Sequence, residues 1–121
     1  MILGESYLRS LILASATLVM GVGMAEIAAH AESYTVSITD ERITPNVIAV
    51  TAHQKTHLTI HNYGKKTHNF VLPAFFIFTP NLPPQQGTTV EFVPEKKGTF
   101  SYYSDTGGAP EPGLSGMFQV K

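Results

Sequence analysis

From Ser33 onward, apolar residues recur at every second position in short runs, and prolines and glycines separate the runs. This pattern constrains the chain more than anything else in it. A period of two puts alternate side chains on opposite faces of a strand, whereas a helix needs a period near 3.6. All eight prolines fall after residue 44, and no helix-period stretch follows residue 31. Many short strands with frequent turn signals predict an all-β sandwich or barrel. Strands are expected over 33–38, 46–51, 56–62, 67–72, 88–92, 99–104 and 115–121. In the third of these, Leu58 and Ile60 face one way, and His57, Thr59 and His61 the other. Residues 73–86 carry four prolines and read as loop or edge, and 105–114 as a Gly/Pro-rich loop.

Residues 1–31 read as an export signal. Arg9 precedes a charge-free, mostly apolar run from Ser10 to Ala25, and Ala29-His30-Ala31 supplies a small-x-small cleavage pattern before Glu32. The run falls short of the ~20 residues of a spanning helix. Membrane contact is therefore expected only if this segment is retained as an anchor. The remaining residues, 32–121, form one small domain, placed in the periplasm or outside the cell. Of nine acidic and eight basic residues, Glu5, Glu26 and Arg9 lie in the leader, leaving seven of each sign. A balanced charge excludes the basic face that nucleic-acid binders require. No cysteine is present, so neither a disulfide nor a thiolate ligand is available.

Three segments in order carry a resemblance. Asn62-Tyr63-Gly64 leads into His68-Asn69-Phe70-Val71-Leu72-Pro73. A Pro94 to Gly98 turn leads into Phe100, Tyr102 and Tyr103. A loop with Gly107-Gly108-Ala109-Pro110 then ends in Pro112-Gly113-Leu114-Ser115-Gly116. Together they resemble the cupredoxins, the blue-copper proteins, over residues 33–121, and most nearly the EfeO-type cupredoxin-like domains of bacterial exported proteins. The resemblance implies a Greek-key β-sandwich. It also implies a ligand set: a His at position 68, and a Cys, a His and a Met from the last loop. Here the corresponding positions are Ser104, Ala109 and Leu114. A type 1 copper site needs two imidazoles and a thiolate, usually with a weak axial Met. Ser104 has a neutral oxygen, Ala109 no donor atom, and Leu114 the volume of Met without its sulfur. The family's Asn at position 69 ties the two ligand-bearing segments together, a role that needs no metal.

The other candidates are weaker. His57 and His61 stand four apart on one strand, ~13 Å, too far for one ion. His53 falls in a turn and is expected to be exposed. Met117, the one sulfur after residue 31, is expected to pack in the last strand. Phe75, Phe76, Ile77 and Phe78 either fold over the barrel mouth, burying most of the rings, or present an apolar patch to a partner. No nucleophile motif or paired carboxylates suggest an enzyme. The expectation is an exported cupredoxin-like binding or interaction module without a blue copper site or other cofactor, with an extracytoplasmic protein as its partner. The alternative is a metal-binding or electron-transfer protein in which His68 holds copper or another transition metal, aided by Asp105 or Glu111.

Overall fold

The computed structural model describes residues 31–121. The predicted export signal lies outside the described residues, apart from Ala31. Among the described residues nine strands run in chain order: β1 (Glu32–Ile38), β2 (Ile43–Thr44), β3 (Val47–Val50), β4 (Thr56–Asn62), β5 (Val71–Leu72), β6 (Ile77–Phe78), β7 (Gly87–Phe92), β8 (Gly98–Tyr103) and β9 (Ser115–Val120). A single 3₁₀ turn, Pro73–Phe75, separates β5 from β6. The strands form two sheets, β2-β1-β4-β7 and β3-β9-β8-β5-β6. Two of the pairings, β1 with β4 and β3 with β9, are parallel. The all-β sandwich is the architecture that the two-residue period dictates.

The inward residues of both sheets make one core. Val36, Ile38, Leu58 and Ile60 come from the first sheet, and Ile48, Leu72, Tyr102 and Phe118 from the second, all nearly or wholly buried. Among the described residues, every member of this core cluster lies between Val36 and Val120. Gly116 faces Tyr102 across the β8–β9 pair, and a Cβ there would run into the tyrosine ring. The Tyr102 hydroxyl crosses the interior to donate to the Pro45 carbonyl at 2.5 Å.

Residues 67–70 depart from the expected strand. His68 makes only an isolated bridge to Leu82. The N–H groups of the next two residues go to side chains: Asn69 to the Ser104 hydroxyl (3.1 Å) and Phe70 to the Thr79 hydroxyl (2.9 Å). Side-chain acceptors have replaced ladder partners, so the strand cannot start before Val71.

Candidate functional site

His68 is buried, with 1% of its surface exposed, at the end of the sandwich where β8 runs into the 104–114 loop. Three segments build its surroundings. The first is the turn after β1. Because Ile38 pairs with Asn62 in the parallel β1–β4 ladder, the residues that follow each strand emerge side by side. Asp40 there accepts the backbone N–H groups of Lys65 and Lys66 at 3.0–3.1 Å. Asn62 shapes the facing turn: its amide donates to the Lys66 and Leu82 carbonyls, and its oxygen accepts the Gly64 N–H. Position 64 must be glycine for this approach, since a Cβ would collide with the Asp40 carboxylate.

The second segment carries His68 and Asn69. His68 Nε2 lies 2.8 Å from Asp40 Oδ1, a formed hydrogen bond. Nδ1 lies 3.3 Å from Glu111, a looser ionic contact. The imidazole is thus held between two carboxylates, one at each ring nitrogen.

The third segment is the loop. The Ser104 hydroxyl donates to Glu111 Oε2 at 2.5 Å, and the Glu111 N–H returns to the Ser104 carbonyl at 2.8 Å. Asn69 spans to the same loop: its amide donates to Asp105 Oδ1 (2.9 Å) and its oxygen accepts the Asp105 N–H (2.7 Å). Ser104 and Leu114 are fully buried or nearly so. Ala109 is exposed on the loop, and the side chain that reaches His68 is Glu111, two residues further on. A turn from Asp105 to Gly108 and left-handed backbone at Gly108 and Gly113 give the loop its own course.

The network fixes the charges. The His68 hydrogen bond, with the Lys65 and Lys66 N–H groups, holds the Asp40 carboxyl down at about 2. Burial pushes the Glu111 carboxyl up, but hydrogen bonds from Ser104 and His68, with the charge on His68, outweigh it and leave it below the ordinary value. Every buried side-chain nitrogen and oxygen among the described residues has a partner.

The remaining candidates lie elsewhere. His57 faces out from β4 and pairs with Glu91 on β7 at 3.1 Å; His61 packs on Tyr63. His53 is exposed at a left-handed turn position. Met117 is 41% exposed on the outside of its sheet, not packed in the core. Phe75 packs on Phe92, Phe100 and Phe118, and Ile77 is buried, while Phe76 and Phe78 are 86% and 62% exposed. The segment therefore does not bury most of its rings: a left-handed Phe76 and a two-residue β6 turn two of the three outward.

The sequence matches the cupredoxin-like domain family over residues 10–113, most of the chain. The chain belongs to that family. No match to a curated protein was found. Among solved structures, an apo-form copper binding protein is 21% identical with a TM-score of 0.59, over 74% of this chain and 86% of that one. Auracyanin A, a "blue" copper protein of Chloroflexus aurantiacus, is 17% identical with a TM-score of 0.59, over 74% and 99%. The blue copper oxidase of Nitrosomonas europaea is 14% identical with a TM-score of 0.66, over 76% of this chain but only 39% of that one. At these identities the likeness is one of fold. The cupredoxin-like frame is therefore established, and its chemistry must be argued from the residues present. Those at the family's metal end are one imidazole, two carboxylates and a hydroxyl. The chain has no thiol, so they do not fit a type 1 copper centre. Among the described residues no group of three His, Cys, Asp or Glu has the geometry to hold a metal ion.

Proposed function

We propose that this chain is an exported, cupredoxin-like binding module whose copper site is degenerate and closed by its own side chains. The observation that carries the proposal is the Glu111 carboxylate. It accepts from Ser104 at 2.5 Å and lies 3.3 Å from His68, between the two positions that supply a thiolate and an imidazole in the resemblance. A cation held by those two positions would need the space the carboxylate fills. The internal anion takes the place of a ligand: it contacts His68 Nδ1 and satisfies the Ser104 hydroxyl. Asn69, Ser104 and Leu114 then hold a closed end of the sandwich. The pattern of residues 9–31 supports export to the periplasm or beyond, with cleavage before Glu32. The EfeO-type likeness rests on the motifs at 62–73 and 100–116.

The test is a Cu(II) titration of residues 31–121 followed in the visible region. No intense charge-transfer band is expected, and such a band would overturn the reading.

A second reading is favoured by one fact: His68 is next to two carboxylates of which Glu111 sits on a glycine-rich loop. If the loop swings away, Nδ1 is free to bind a transition metal with a non-standard ligand set. Asp40 and Glu111 approach opposite ring nitrogens, so they cannot both join His68 on one ion. Calorimetry with Cu(II) and Zn(II) on the native domain and on His68→Ala decides: heat that is lost in the variant supports a metal site, and none in either removes it.

A further inference from the structure

Where β2 leads into β3, a cavity of about 470 Å³ opens between that turn and the end of the 104–114 loop. His68 does not line it. Four polar residues do: Arg42, Thr44, Asn46 and Ser115. Arg42 carries the only guanidinium among the described residues, and no carboxylate there pairs with it. The acids of this end are engaged elsewhere. Asp40 holds His68 and the Lys65 and Lys66 N–H groups, Asp105 holds Asn69, and Glu111 holds Ser104 and His68. The positive charge of Arg42 is therefore left over.

The backbone that carries these side chains is fixed. The Thr39 hydroxyl accepts the N–H groups of Glu41 and Arg42, both at 3.2 Å. The Pro45 carbonyl takes the Tyr102 hydroxyl, and the Asn46 carbonyl accepts the Met117 N–H at 2.9 Å. Ser115 is paired with Tyr103 in the β8–β9 ladder. Gly113, in left-handed backbone, closes the loop against the 39–42 turn: a Cβ there would lie 3.0 Å from the Glu41 carbonyl. The donors thus stand on a preformed frame, as in a binding site.

We infer that this cavity binds a small organic acid through its carboxylate. The planar guanidinium fork matches a carboxylate with two parallel hydrogen bonds, and one unpaired positive charge calls for one negative charge. The hydroxyls of Thr44 and Ser115 and the amide of Asn46 add neutral donors around it. Size selects an organic acid over a bare ion. At about 30 Å³ per water, the cavity has room for on the order of fifteen waters, far more than phosphate or chloride would displace. Small-molecule sites usually span about 300–1,000 Å³. Ile43 and Pro45 line the cavity too and give the acid's carbon skeleton an apolar surface. The inference names a ligand class for a binding module, and it stands whether or not the His68 end binds metal.

The test is to titrate the purified protein with phenylacetate at constant ionic strength and follow its backbone amide resonances by NMR. Phenylacetamide, of the same shape without the charge, and inorganic phosphate, the charge without the apolar group, serve as comparisons. Phenylacetate is expected to shift Arg42, Thr44, Asn46, Gly113 and Ser115 saturably, with a dissociation constant in the millimolar range, on the order of what a ligand of about ten heavy atoms reaches. Arg42→Gln should weaken it about tenfold or more, the usual consequence of losing a charge-assisted bond. Lys97→Gln removes a charge at the opposite end of β8 from the Tyr103–Ser115 pair and should bind as the native protein does. No saturation up to about 50 mM overturns the inference. So does equal affinity in Arg42→Gln, or an equal loss in Lys97→Gln. Phenylacetamide or phosphate binding as tightly as phenylacetate overturns it as well. A Cu(II) titration reads the other site, so the two readings fail separately.

Discussion

Glu111 accepts the Ser104 hydroxyl at 2.5 Å, while the Glu111 N–H donates to the Ser104 carbonyl at 2.8 Å. Two residues seven apart thus close a ring that aims one carboxylate at His68. The backbone bond positions the residue, and the side-chain bond fixes the carboxylate. The Ser104 oxygen also accepts the Asn69 N–H, so one buried hydroxyl joins the loop to the segment carrying His68.

Ser104→Ala is therefore expected to destabilise the fold by about 1–3 kcal/mol, the usual cost of leaving a buried donor without its acceptor. The Asn69 N–H is that donor. Urea unfolding of the native domain and the variant measures the difference. A variant of equal stability would mean that water replaces the hydroxyl.

Acid should weaken the same network. A carboxylate whose folded value is depressed stabilises the fold above its unfolded value and loses that contribution as pH falls through the folded one. Asp40 is held at about 2 against an unfolded value of 3.8, and Glu111 lies below its unfolded value of 4.5. The melting temperature is expected to fall as pH drops from 4.5 to about 2. Asp40→Asn should flatten that fall. Thermal melts across the window check it, and an equally steep fall in the variant would assign the loss to other groups.

The sequence and the structure agree where the signal is local. Alternation located β4, β7, β8 and β9 within a residue or two, because side-chain period is a property of neighbours. The motifs around His68, Asn69 and Ser104 are also contiguous and could be read. Asp40 could not: it reaches His68 only through the parallel register that sets Ile38 beside Asn62. Glu111 stood as one of two carboxylates in the loop. The choice was made by loop conformation, which turns Asp105 toward Asn69 and leaves Glu111 facing the imidazole. The outward turn of Phe76 depends on a left-handed backbone angle that no local composition announces.

Gly64→Ala probes the Asp40 contact from the other side. The added Cβ collides with the carboxylate, so either Asp40 or the turn must move. Crowding of this kind typically costs about 1–3 kcal/mol. The variant should also lose the acid sensitivity assigned to Asp40, because a displaced carboxylate no longer bonds His68. Melts at neutral pH and near pH 2 separate the two effects. A destabilised variant that keeps the native acid response would show that Asp40 had not been displaced.

Tyr102 offers a test at the other end of the pH scale. Its ring is buried against Phe70, with centroids 5.2 Å apart, and its hydroxyl donates to the Pro45 carbonyl. Burial pushes the phenol up to about 12 from an ordinary value of 10.0. A raised folded value means that Tyr102 favours the fold fully below pH 10 and loses that contribution as pH rises toward 12. Spectrophotometric titration should therefore show a last step from Tyr102, near 12 and together with unfolding, beyond the rise that burial and the Glu32 charge give Tyr34. Tyr102→Phe removes that late step. Because the Pro45 carbonyl loses its donor, the substitution should also cost about 0.5–1.5 kcal/mol at neutral pH. A titration in which the variant keeps the late step would reassign it to another tyrosine.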